Sequence, residues 1–231
     1  AARFRAQVDA KASGDDEGRA LMPFYVAYRA VVRGKVDGFA ARGVEIPEAE
    51  RARFRARARG YFLLALCVLS TPSERPGLVI VSGLPGTGKS TIARGLAEAG
   101  WSRLATDELR KSLAGLPPEA DARAAPDQGI YTAEWTERTY AALRDRVREQ
   151  LFAGERTVVE GTFLQEGRRR MLLDMAVESR VPALLLQVEA PGEAVRSRMA
   201  GRTGDASDAD WRTHLALRGR QEPFGLDTAA V

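Results

Sequence analysis

The sequence predicts an α/β fold, a mostly parallel sheet with helices on both faces, preceded by a small all-α segment. Three observations predict it. Short apolar runs alternate with helix-patterned stretches from residue 78 onward. A glycine-rich loop, GLPGTGKS over residues 83–90, joins the first such run to a helical stretch. Before residue 71 there are two long helical patterns and no strand pattern, set off by the turn-rich TPSERPG over 71–77. The expected division is therefore a helical segment over 1–75 and an α/β domain over 76–231.

In order along the chain, the first helix is expected over 19–42, with Phe24, Tyr28, Val31 and Val32 at helical spacing and so expected to pack. The second is expected over 48–69, with Pro47 suited to its first turn. Arginines at 51, 53, 55, 57 and 59 alternate with Ala and Phe54 at a period of two that imitates a strand. Arginine and alanine favour helix, which would spread these charges around its circumference as a solvated basic surface. Leu78 to Val81 then reads as a buried strand, and a helix over 90–99 is stopped by Gly100. A strand over 102–105, a helix over 107–114, a Pro-rich loop over 115–129 and a helix over 131–153 follow. Buried-strand patterns over 156–160 and 183–188 flank a helix over 165–180, and the chain closes on helices over 193–200 and 208–219.

Composition narrows the class. Of 231 residues, one is cysteine and one is histidine, which excludes an intramolecular disulfide and a Cys/His structural zinc site. The longest apolar run, Tyr61 to Leu69, is too short to span a bilayer, and the charged N-terminus lacks the apolar core of a signal peptide, so a cytoplasmic, membrane-free protein is expected. The chain opens at Ala1 without methionine, which is the expectation for a piece of something longer. Net charge is +4, and the excess is arginine spread along the chain. Nucleotide phosphates would satisfy such a balance; nucleic acid is a possible partner but not the favoured one.

Chemistry concentrates after residue 82. Gly83, Gly88, Lys89 and Ser90 have the full P-loop spacing, between an apolar strand and a helix N-terminus. Glycines let successive amides converge on a polyphosphate, so Gly83, Pro85, Gly86, Thr87, Gly88, Lys89, Ser90 and Thr91 are the expected ATP-binding set. Lys89 would reach the β and γ phosphates, and Ser90 would bind Mg²⁺. Asp107 follows the second strand, where it could orient an acceptor hydroxyl and take its proton, or cap the helix with Thr106. Glu160 ends a third strand and could meet the metal. Arg198 and Arg202, four residues apart on one helical face ahead of Gly204, could close over the triphosphate. His214 lies beside Trp211 and Leu215, where packing is the expected role.

These residues resemble a known family. From about Gly77 to Phe224 the chain is similar to the small P-loop kinases grouped as AAA-domain ATPases, relatives of polynucleotide 5′-hydroxyl kinases and zeta-toxin kinases. The matching motifs are GLPGTGKST over 83–91, Thr106 and Asp107 followed by Arg110, VVEGTF over 158–163, Arg198 with Arg202, and Ser207 to Ala209. The resemblance implies that Lys89 and Ser90 serve nucleotide and Mg²⁺, Asp107 acts as general base with Arg110 on the substrate side, and Arg198 and Arg202 belong to a lid. Glu160 stands where many relatives carry aspartate. No extended Walker B Asp-Glu pair and no sensor-arginine arrangement is found. The stretch LMPFYVAYRAVVRGKV over 21–36 resembles the last helices of an aminoglycoside-phosphotransferase-like domain, although no His-x-Asp loop or Asp-Phe-Gly equivalent lies upstream of the P-loop. This implies an upstream domain of that type in a longer protein.

The expected activity is ATP- and Mg²⁺-dependent transfer of a phosphoryl group to a hydroxyl of a small molecule or a nucleic acid end. The alternative is an ATP-binding regulatory switch without an acceptor, in which Asp107 would have no purpose.

Overall fold

The computed structural model describes residues 18–118, 120, 128–200 and 210–225. The described residues divide into two compact units, one within 18–76 with 178–181 and the other within 77–177 with 182–225.

In the first unit, helices α1 (Gly18–Ala40) and α2 (Glu48–Leu69) pack side by side. Their contact is built from small side chains: Ala27, Ala30 and Ala65 are buried, with Tyr61, Leu64 and Val68 packed against them. At Gly34 an added Cβ would lie 3.2 Å from the Phe62 ring, so the glycine permits the close approach. An ion pair between buried Asp37 and exposed Arg57 ties the two helices: Arg57 Nε donates to Asp37 Oδ2 at 3.0 Å, and a second guanidinium N–H reaches Oδ1.

Here the structure corrects an expectation. Phe24 and Tyr28 are 59% and 57% exposed, and Val31 and Val32 are also exposed. The face of α1 turned to α2 is the Ala27, Ala30, Gly34, Asp37 stripe, because small residues at a spacing of three and four let two backbones come close. The arginine-rich stretch is helical as expected and partly neutralised, with Arg51 and Arg55 both paired to Glu48. Cys67 is buried, and burial pushes its thiol up, so it stays protonated at neutral pH.

The second unit is a four-stranded, all-parallel sheet in the order β2-β3-β1-β4. The strands are β1 (Gly77–Ser82), β2 (Ser102–Ala105), β3 (Arg156–Gly161) and β4 (Ala183–Gln187). The connecting helices are α3 (Lys89–Glu98), α4 (Thr106–Leu113), α5 (Ala133–Phe152) and α6 (Glu166–Ser179). Helices α7 (Gly192–Ala200) and α8 (Trp211–Arg218) follow. Central β1 is buried along its length, as a parallel strand covered on both faces must be. Val79, Val81 and Val158 pack with Ala93, Leu96 and Trp101 beneath α3. The run over 183–188, which reads as a fully buried strand, is instead the edge strand β4, with Leu184 53% exposed. A continuous apolar run records hydrophobicity but not position in the sheet.

Register places the chemistry. Ala105 on β2 pairs with Glu160 on β3, and Val81 on β1 pairs with the same residue. The strands therefore end together, and the loops after Ser82, Ala105 and Gly161 leave from one edge, where ligands of parallel sheets bind.

The residues after β3 are held from afar by Arg169, whose side chain is fully buried. Its Nε donates to Glu166 Oε2 at 2.8 Å and its Nη1 to the carbonyls of Phe163 and Leu164 at 2.8 and 3.0 Å. Nη2 donates to the carbonyls of Glu222 and Pro223 at 3.1 and 2.8 Å, while Phe224 lies under the guanidinium at 4.4 Å. Every N–H of the fork is used.

Candidate functional site

The loop over 83–88 is wound by its own glycines and one of its own carbonyls. Gly83 leaves β1 with φ of 153°, and a Cβ there would sit 2.4 Å from the Val188 carbonyl oxygen, so no other residue fits. Gly86 (φ 81°) and Gly88 (φ 107°) complete the curl in the left-handed region. The Leu84 carbonyl is the hub: it accepts from Lys89 Nζ at 2.9 Å, from Thr87 Oγ1 at 2.8 Å and from the Thr87 amide at 3.4 Å. Gly88 is the N-cap of α3 and makes no side-chain cap, so the first amides of that helix open toward the loop. Ser90, in that first turn, is half-buried.

Asp107 is half-buried in the first turn of α4, directly after β2. The N-cap of α4 is Ala105, whose side chain cannot cap, and Thr106 and Asp107 fall in the first turn. β3 alone separates β2 from β1. At about 4.8 Å per strand, the Asp107 end and the P-loop end lie about 10 Å apart along the edge, the span of a γ-phosphate and an acceptor group.

Two expected residues are placed differently. Glu160 is 4% exposed, and its carboxylate accepts from Arg103 Nε at 2.7 Å and from a second N–H of the same guanidinium, which also reaches Glu108 at 2.9 Å. The carboxylate expected to meet a metal is thus engaged by a cation. Arg110, expected on the substrate side, is 7% exposed and turned inward. Its Nη1 donates to the Ile130 carbonyl at 2.9 Å and to Thr136 Oγ1 at 3.3 Å, and it lies over the Tyr131 ring at 5.2 Å. It braces the turn over Gly129–Tyr131 and the start of α5. Arg202 and the stretch 207–209 lie outside the described residues. Arg198 stands over the P-loop, donating from Nη1 to the Thr87 carbonyl at 3.3 Å.

Sequence reasoning missed Arg103, Arg169 and Tyr140. Tyr140 packs edge-on against Phe163 at 5.9 Å, beneath Arg168 at 4.5 Å. Burial, the largest influence, pushes its phenol up to about 12; Arg168 and Arg110 pull it down, and Asp107 adds to the rise. The folded state thus favours the neutral phenol, so stability is intact below pH 10 and falls as pH rises from 10 toward 12. The expected loss is about 2–3 kcal/mol across that window. Tyr140→Phe should flatten this decline in denaturation midpoints measured from pH 8 to 11.5; an unchanged decline would show that the phenol is not its source.

A glycine loop joining the central strand of a parallel sheet to an uncapped helix, with a lysine folded over it, defines a P-loop nucleotide-binding protein. A family model described as AAA domain matches residues 78–224, and the chain belongs to that family. Uncharacterized protein Rv2004c of Mycobacterium tuberculosis is 31% identical over 222 residues, covering 94% of this chain and 43% of its own length. A Mycobacterium bovis protein, also uncharacterized, matches equally. The chain therefore spans less than half the length of these relatives. Among solved structures, a sugar kinase from Janibacter sp. is 22% identical with a TM-score of 0.49, covering 66% of this chain and 81% of that one. Kti12 of Chaetomium thermophilum, in complex with ADP-AlF3, is 24% identical with a TM-score of 0.44, covering 63% and 80%.

Proposed function

We propose that this chain is an ATP- and Mg²⁺-dependent phosphotransferase that moves the γ-phosphoryl group to a hydroxyl. The supporting observation is that Asp107 and the Lys89 loop leave one edge of the sheet on either side of β3. A nucleotide laid along the loop would direct its γ-phosphate toward that edge. Asp107 would then orient the acceptor hydroxyl and take its proton as the oxygen attacks phosphorus and the bond to the β–γ bridging oxygen breaks, its electron pair leaving with ADP. Arg198, already over the loop, would neutralise charge on the transferring group.

For Mg²⁺ the residues fit a site made mainly by the nucleotide. Among the described residues no group of three or more His, Cys, Asp or Glu could hold a metal, and Glu160 is engaged by Arg103. Ser90 would supply the hydroxyl, with phosphate oxygens and water completing an octahedral shell. Bound there, the ion would offset phosphate charge.

Asp107→Ala is expected to bind Mg-ATP within about threefold of the native protein and to lose about 10²- to 10⁴-fold in transfer. A radiolabelled-ATP screen over sugars, nucleosides, aminoglycosides and 5′-hydroxyl RNA and DNA ends supplies the acceptor. Native-level transfer by Asp107→Ala would sink the proposal. Stable nucleotide binding with no acceptor across the whole panel would favour the regulatory switch instead.

The exposed face of α1 suits the upstream, aminoglycoside-phosphotransferase-like domain implied by the sequence resemblance. Leu21, Phe24, Tyr25, Tyr28, Val36 and Phe39 are all more than half exposed, an apolar surface of a kind rarely left to water. The greater length of the mycobacterial relatives supports the same reading. Phe24→Ser with Tyr28→Ser should reduce binding of a hydrophobic dye by this chain and lower the melting temperature of a longer protein containing it. No change in either would remove the proposal. No described helix is long and apolar enough to cross a membrane. The single cysteine is the ground on which we propose a cytoplasmic location.

A further inference from the structure

We propose that His214 is a positioning residue for nucleotide binding: its bond to the Pro85 carbonyl turns the Gly86 amide toward the phosphates. This rests on the nucleotide-binding reading above.

His214, the only histidine in the chain, is buried on α8, and its Nδ1 lies 2.9 Å from the Pro85 carbonyl oxygen. A carbonyl only accepts, so Nδ1 carries the proton and donates. The ring is held for this. It stacks on Trp211 at 5.1 Å and 9°, and the first turn of α8 is pinned by Asp210, which accepts from the Thr213 amide at 2.7 Å and its hydroxyl at 2.8 Å.

The consequence follows from the planarity of the peptide bond. In a trans peptide the carbonyl of one residue and the amide of the next point in opposite directions. Leu84 turns its carbonyl into the loop, where Lys89 and Thr87 donate to it. The following residue is Pro85, so this inward turn sacrifices no amide. Pro85 has its carbonyl drawn the other way, by His214 on α8. The amide paired with that carbonyl belongs to Gly86, and it then faces the inside of the loop. That is the arrangement a polyphosphate needs.

An outside lock is required because the peptide between Pro85 and Gly86 is easy to flip. Gly86, at φ of 81°, can adopt either hand at little cost. Nor can bulk replace the lock, since a Cβ on Gly86 would come within 2.8 Å of Val195 Cγ1 and 3.0 Å of Met199 Cε on α7. Packing confines the loop from that side, while the hydrogen bond from His214 chooses which way the peptide points.

The test compares His214→Phe, which keeps a flat ring against Trp211 and removes the donor, with His214→Asn, whose amide nitrogen can occupy the Nδ1 position. Binding of Mg-ATP and of inorganic triphosphate is measured by calorimetry alongside the melting temperature. The Phe variant should bind both about tenfold more weakly than native, and the Asn variant within about threefold of native. Native affinity in the Phe variant overturns the proposal, as does an Asn variant that melts like native yet binds no better than Phe. If the Phe variant does not fold, the Asn variant decides alone: near-native affinity supports the donor role, and tenfold weakening at native melting temperature overturns it. A native protein that binds neither ligand defeats the nucleotide-binding reading and this proposal together, whereas equal binding by native and Phe proteins defeats only the proposal.

Discussion

Lys89→Ala is expected to reduce phosphoryl transfer by about 10²- to 10³-fold, the scale seen when one fixed charge-stabilising donor is deleted from a site. The ammonium group is held over the loop by the Leu84 carbonyl, within reach of the position that β and γ phosphates would take. Its removal should leave the fold intact, because the Leu84 carbonyl keeps the Thr87 hydroxyl and amide as donors. Melting temperature should therefore match native while transfer collapses. Lys89→Arg should not rescue, since a planar fork cannot occupy the place of a compact ammonium in so tight a turn. Steady-state transfer to any acceptor found by the screen, read beside thermal melting, checks both statements. A Lys89→Ala protein that melts normally and turns over within threefold of native would show that this loop does not handle the triphosphate.

Arg169→Ala should cost about 3–5 kcal/mol of stability, the range for removing one partner from a buried, charged network. No correction for solvent is needed, because the side chain is fully buried. Removal takes a donor from the carbonyls of Phe163, Leu164, Glu222 and Pro223, of which Leu164 keeps the Glu222 amide, and opens a space beneath Phe224. Arg169→Lys should recover only part of the loss, since an ammonium has three donors and no fork. Arg168→Ala and Arg170→Ala are the comparison, because the carboxylates they meet, on Glu137 and Asp174, are more than half exposed; each should cost no more than about 1–2 kcal/mol, Arg168 including its place over the Tyr140 ring. Urea denaturation separates the three. Equal midpoints for all of them would mean that the clasp holds nothing.

The contrast among those three arginines shows where sequence legibility ends. The P-loop could be read because its physics is local: an apolar strand, glycines where left-handed backbone is needed, and a lysine at the helix start lie within a dozen residues. The place of Asp107, immediately after a strand, could be read for the same reason, whereas its role as base is a proposal. Arg169 could not, since it stands in a run of three arginines whose differences lie in partners 53 and 54 residues away. Arg103 and His214 share that blindness, with partners 57 and 129 residues away. Arg110 matched a motif that points to substrate, yet the turn over 129–131 draws it inward. On α1 the error had another origin. Apolar periodicity was expected to mark the inward face, but alanine and glycine carry little hydrophobic signal while allowing the closest packing, so the aromatic face was left outside.

The grip of Arg169 on residues 222 and 223 also sets an order of assembly. Parallel strands and helices up to β4 can associate while the chain is still growing on the ribosome, but the turn after β3 receives its last bracing only when the sequence beyond α8 has emerged. The turn after β3, next to β1 along the sheet edge, is thus finished late. The same late stretch carries His214, so the brace on that turn and the hydrogen bond to the Pro85 carbonyl come from one segment. A chain grown no further than β4 would lack both.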